Sequence, residues 1–253
     1  MSCLLYCIRG FPGPEIAPPL LGVGGGPVYQ VTHRRLRAAV SKINLGDLAP
    51  DLPRVRTYEQ VVISYHRQGT VIPMRYGCAV EEDSQVTQHL DEHGPHYEAL
   101  LSELEGCVEM GLRVLLPSGP WAAVTPGGPE SCRELAGPQP PDPSAAPERL
   151  GLAYLTARKA HYAHQDRWTN EYRQAEQRCR AQFEGLFVKS KTEAPSPRLP
   201  LLSLYFLVPG STVESFRQAF RHLSATESAR LLLSGPWPPY NFVTNSPKSL
   251  LTP

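Results

Sequence analysis

The chain opens with a short apolar run, Cys3 to Arg9, which ends in Gly10-Phe11-Pro12-Gly13-Pro14. A run this short, bounded by glycine and proline, predicts a buried strand followed by a loop. Pro27–Thr32 and Leu36–Ile43 suit two further strands joined at His33-Arg34-Arg35. From Tyr58 the spacing turns helical: Tyr58, Val61, Val62 and Tyr65 fall at i, i+3, i+4 and i+7, and Gly69 stops the run. Val71 to Gly77 resumes an extended course, and Pro73 puts it at a sheet edge or a bulge. A second helix is predicted from Asp83 to Leu90, broken at Gly94-Pro95 and resuming through Leu104. Val108–Leu116 closes this half as a strand. Hairpins mixed with crossovers predict an α+β unit, a mainly antiparallel sheet with helices packed on one face.

Pro117 to Pro147 is dense in proline and glycine and has little apolar periodicity, which reads as a long connection between domains. The predicted division is therefore 1–116, a linker at 117–147, and a second α+β domain at 148–253. Glu148 to Phe183 has no proline and only Gly151, so a helix spanning roughly 45 Å can run there. Leu155, Tyr162, Trp168, Tyr172, Ala175, Cys179 and Phe183 make one apolar stripe along it. Arg167 with Glu171 and Glu176 with Arg180 can pair at i, i+4. Aromatic residues in place of regular Leu and Ile favour packing within the chain over a coiled-coil seam. Beyond a proline-broken hinge at Ala194–Pro200, Leu201–Val208 reads as a strand buried on both faces. Ser211-x-x-Glu214 is a capping box that opens a helix whose Phe216, Phe220 and Leu223 share a face. Ala229–Leu233 is the last strand, followed by Gly235-Pro236-Trp237-Pro238-Pro239-Tyr240-Asn241-Phe242-Val243.

Composition narrows the function classes. Lys and Arg number 25 against 24 Asp and Glu, a net charge of +1, which excludes binding to nucleic acid driven by phosphate neutralisation and a broad attraction to anionic membranes. The longest apolar run, Leu199–Val208, is interrupted by Pro200 and Ser203 and is about half the length of a membrane span. The opening residues lack the basic region of a signal peptide, so the expected compartment is the cytoplasm. The six cysteines, at 3, 7, 78, 107, 132 and 179, are scattered with no Cys-x-x-Cys pair and are expected to be buried thiols. Proline, at 27 of 253 residues, is roughly twice its usual share and concentrates in the connection and the terminal segment.

Few patterns carry chemistry. Gly22 to Gly26 suggests a phosphate loop, but Pro27 stands where the third glycine belongs and neither Lys-Ser nor Lys-Thr follows, so a flexible approach to a hairpin is expected. His89-Leu90-Asp91-Glu92-His93 matches the inverted zinc-protease signature, in which two histidines one turn apart bind the metal. Gly94-Pro95 is expected to end that helix, which favours a solvated helix end carrying His89, His93 and His96. His161 with His164 is a weaker pair. There is no Gly-x-Ser-x-Gly elbow, and no cysteine has a catalytic context. Pro236-Trp237-Pro238-Pro239 contains Pro-x-x-Pro, a polyproline-type ligand by pattern, but its place after a core strand favours a stiff cover packed on its own domain.

Three stretches resemble the gas vesicle protein GvpL/GvpF family: Leu4-Leu5-Tyr6-Cys7-Ile8, Val71-Ile72-Pro73-Met74-Arg75-Tyr76-Gly77, and above all the terminal Gly235–Val243. Gly151-Leu152-Ala153-Tyr154-Leu155 is also similar to the start of the family's long helix, with Leu152 where an arginine is common. The resemblance implies two α+β domains, the second ferredoxin-like. It also implies a cytoplasmic accessory protein that binds the hydrophobic major shell protein and other accessory proteins during early gas vesicle assembly. A minor structural component of the shell or nucleus is the alternative, and a zinc hydrolase using His89, Glu92 and His93 is a distant one. The family has no established catalytic residues, so no catalytic, cofactor or metal role is assigned. Arg75 suits either an interdomain contact or a structural salt bridge.

Overall fold

The computed structural model describes residues 2–13, 20–116, 158–159, 169–193, 201–227 and 229–243. Strand β1 (Ser2–Gly10) is buried along nearly its whole length, because it lies inside a sheet covered on both sides. Its neighbours are β2 (Val28–His33), β3 (Leu36–Ile43), and the short β4 (Ile72–Pro73) and β5 (Ala79–Val80). The order is β2-β3-β1-β4 with β5 also on β1, and every pairing is antiparallel. Helix α2 (Asp83–Glu103) packs Val86, Leu90 and Tyr97 against Cys3, Leu5 and Ile8. Helix α1 (Leu52–His66) packs Tyr58, Val61, Val62 and Tyr65 against Leu4, Tyr6 and Cys7 on the opposite face. The α+β class with an antiparallel sheet is thus as expected, but here one helix covers each face rather than both covering one. That is why β1 reads as a continuous apolar run and not as an alternation.

The proline in α2 does not break it. The helix runs through Gly94-Pro95 without interruption, although proline removes one backbone donor. Pro95 and Asp91, whose carbonyl loses that donor, are both exposed, so that turn of the helix is open to water, which can satisfy the carbonyl.

The strand expected at Val108–Leu116 to close the first half is instead β6 (Cys107–Leu115) of the second sheet. Its residues pair one for one with β8 (Leu201–Pro209) from Cys107↔Pro209 to Leu115↔Leu201, and its other side pairs with β9 (Arg230–Trp237). Helix α3 (169–182), β7 (Lys189–Thr192) and α4 (Val213–Thr226) complete the unit. The order of elements is βαββαβ, and the antiparallel sheet runs β7-β8-β6-β9. This is the ferredoxin-like arrangement, reached only when β6 is counted in.

Both helices of this unit lie on one face. Tyr172, Ala175, Cys179 and Phe183 join Phe216 and Leu223 against Met110, Leu112, Leu204 and Phe206, with the Phe183 and Phe216 rings stacked at 4.1 Å. The described part of the apolar stripe therefore packs within the chain, and Glu176 pairs with Arg180 at 3.0 Å. Leu155, Tyr162, Arg167 and Trp168, the 117–147 connection and the 194–200 hinge lie outside the described residues.

The predicted capping box does not form. Gly210–Thr212 makes a 3-10 turn first, Thr212 becomes the N-cap with no side-chain cap bond, and its hydroxyl donates to the carbonyls of Pro209 (3.0 Å) and Leu186 (3.3 Å). The glycine run near residue 22 is likewise a packing device. Val23 N–H donates to the Tyr6 hydroxyl at 2.9 Å, and a Cβ on Gly22 would collide with that hydroxyl.

Candidate functional site

The three stretches that carry the family pattern are far apart in the chain and meet in space. The Tyr58 hydroxyl lies 2.8 Å from the carbonyl of Leu5 and 2.9 Å from that of Met74, so α1 ties β1 to the loop after β4. Tyr240 packs into the same core as Tyr58, while Phe242 and Val243 join Ile72 and Met74 in the other. Burial raises the Tyr58 and Tyr240 hydroxyls far above the ordinary tyrosine range, so both stay neutral.

The terminal segment belongs to both units. Strand β9 continues past Leu233 to Trp237, and Gly235 lets it do so: φ is +109°, and a Cβ there would stand 2.6 Å from the Glu109 carbonyl. Pro238 and Pro239 are buried, which removes the Pro-x-x-Pro reading, and beyond them Tyr240, Phe242 and Val243 pack into the first unit while Asn241 stays bonded to their own sheet. Glu109, nearly fully buried, accepts from Asn241 N–H at 2.8 Å and from Asn241 Nδ2 at 2.7 Å. Burial raises its carboxyl, and the Asn241 bonds and the Lys191 charge oppose the rise. Lys191 Nζ donates to the Asn241 carbonyl at 3.2 Å. Arg75 is exposed and has no ion-pair partner among the described residues, so neither role foreseen for it is seen. Its carbonyl lies 3.2 Å from the Tyr58 hydroxyl.

The inverted zinc-protease pattern is occupied structurally. The unbroken α2 does place His89 and His93 one turn apart, with rings 4.5 Å between centroids. However, His89 is buried with Nε2 2.6 Å from the Tyr97 hydroxyl. His93 Nδ1 lies 3.1 Å from the His89 carbonyl, and Glu92 accepts from Gln88 at 2.8 Å. No group of three or more His, Cys, Asp or Glu among the described residues could hold a metal ion. His161 and His164 lie outside the described residues. Five cysteines are buried free thiols; burial pushes Cys7 up to about 12 and Cys179 up to about 11, which makes both unreactive. Cys132 lies outside the described residues.

What remains open is a sheet face. On the side of β6 away from α3 and α4, Cys107 and Leu207 are sealed into the first unit's core, but Arg113 and Leu115 farther along are exposed. Leu232 and Trp237 on the edge strand β9 are exposed on that same side. Sequence reading missed this surface because a strand's apolar residues are assigned to the core by default. A signal was present: Leu115 and Leu232 sit at positions where the alternation of their strands calls for a polar residue. None of the described helices is long and apolar enough to cross a membrane.

The model of the family described as gas vesicle synthesis protein GvpL/GvpF matches residues 2–244. Gas vesicle protein F of Streptomyces sp. (strain CB03234) is 26% identical over 258 residues, 96% of this chain and 100% of that protein. Gas vesicle protein F of Haloferax mediterranei is 30% identical over 122 residues, 47% of this chain and 57% of that protein, so the match spans little more than half of that relative. The crystal structure of GvpF from Anabaena sp. PCC7120 superposes with a TM-score of 0.74 over 99% of both chains at 17% identity, a likeness of fold.

Proposed function

The chain belongs to the gas vesicle GvpL/GvpF family, which gives it a gas vesicle-related role, and within that role we propose that it binds the hydrophobic major shell protein during early assembly. Other accessory proteins are the further partners in this reading, and its place is the cytoplasm beside the growing vesicle. A shell subunit whose apolar face finishes against gas exposes both sheet edges and a large apolar patch before it assembles, and both invite aggregation. A partner that covers such surfaces keeps the subunit competent without any catalysis.

The observation that carries the reading is the partly open face of the second sheet, where Leu115, Leu232 and Trp237 are exposed together, whereas most of the other large apolar side chains among the described residues are sealed in three cores. Exposed apolar groups gathered on one sheet face mark interaction surfaces. Co-expression with the shell protein tests it: soluble shell protein should rise and co-purify with this chain. Unchanged solubility with no co-purification would sink the reading. Retention of the chain in washed, intact vesicles would make it a structural component instead.

A further inference from the structure

On strands β6 and β9, Arg113 stands directly opposite Leu232, and Leu115 directly opposite Arg230. Directly opposed residues project from the same face, so two leucines and two arginines alternate as a diagonal block. Leu232 is 62% exposed and Leu115 42%. Neither guanidinium group has an ion-pair or hydrogen-bond partner among the described residues. The one acid on these two strands, Glu109, is buried and held by Asn241.

β9 is also the last strand of its sheet among the described residues. Its outer backbone groups are a template for another strand. The irregular register between Glu109 and Gly111, where β9 carries Gly235 and Pro236, limits regular pairing to the stretch from Arg230 to Ser234. An apolar patch alone would accept any apolar surface. Two unpaired cations within it disfavour a bare apolar or basic partner and select one that brings carboxylates.

Resting on the shell-protein reading above, we propose that the shell protein adds an extended segment alongside β9, with an apolar side chain against Leu232 and a carboxylate reaching Arg230 or Arg113. Because side chains two positions apart share a face of a strand, the recognised segment carries an acid two residues from an apolar residue.

The test uses the full chain co-expressed with the shell protein, and the shell protein recovered by co-purification is quantified. Leu232→Glu and the double variant Arg113→Glu/Arg230→Glu are each expected to lower recovery by about tenfold or more, the loss of one interface hot spot. Leu52→Glu is the control: Leu52 is 65% exposed, as open as Leu232, but lies on α1 of the first unit. It should bind like the wild type. Unfolding midpoints equal to wild type establish that the variants fold; should Leu232→Glu unfold early, Leu232→Ser takes its place. Changing the acid of the shell segment to lysine should restore recovery with the Arg113→Glu/Arg230→Glu variant. Wild-type recovery with Leu232→Glu, or an equal loss with Leu52→Glu, overturns the docking surface while leaving the shell-protein reading intact. A self-dimer of the wild type that Leu232→Glu dissolves would also overturn it, by assigning the edge to a second copy. Failure of the wild type to co-purify is the separate result that removes the shell-protein reading itself.

Discussion

Burial turns His89 from a candidate ligand into a group that resists protonation. Its side chain is sealed against Tyr97, and burial, followed by the neighbouring His93 charge, lowers its pKa from 6.5 to about 4. The unfolded chain therefore binds the proton more readily, and stability present above pH 6.5 is lost as pH falls through the interval to about 4. His89→Gln keeps a partner for the Tyr97 hydroxyl and does not titrate. Urea midpoints measured across that interval should fall less steeply for the variant than for the wild type, and equal slopes would assign the acid sensitivity to another group. The His-x-x-Glu-His pattern was plain in the sequence, but its meaning was not, because nothing local records that Tyr97 and the first core close over His89.

Among the elements, the terminal segment shows how a short stretch can join two folding units. Asn241 supplies both of the hydrogen bonds that hold the buried Glu109, one from its backbone and one from its side chain. Removing a donor from a buried carboxylate costs about 1–3 kcal/mol. Asn241→Ala should lower the unfolding free energy by that amount in denaturant titration and speed amide exchange at residues 240–243. A loss below a few tenths of a kcal/mol would mean that water replaces the side chain. Other elements differ in how far they could be read locally. The β2–β3 hairpin around Arg34 was legible because its turn and alternation are local, and the face of α1 was legible from Tyr58, Val61, Val62 and Tyr65. The continuity of α2 was not, since an interior proline leaves a carbonyl without its donor, and whether that turn faces water depends on packing.

For the whole molecule, β6 is the decisive strand. It follows α2 in the chain after a three-residue turn, yet it supplies an inner strand of the second sheet. A fragment spanning 107–243 should unfold cooperatively and keep its ferredoxin-like sheet, whereas 117–243 lacks the strand between β8 and β9 and should show no cooperative transition by circular dichroism. Cooperative unfolding of the shorter fragment would return the boundary to residue 116. Periodicity and composition determined the α+β class, most strands and helix faces and the near-neutral net charge, and short residue motifs carried the family resemblance, because each depends on residues near one another in the chain or on totals. Tertiary structure alone decided that β6 crosses to the second sheet, that the helices of the first unit take opposite faces, that the terminal segment reaches the first unit, and that Leu115 and Leu232 stay open beside arginines with no ion-pair partner among the described residues. Each of those outcomes depends on which long-range partner covers a side chain, and an apolar residue looks the same in sequence whether its partner belongs to its own fold or to another molecule.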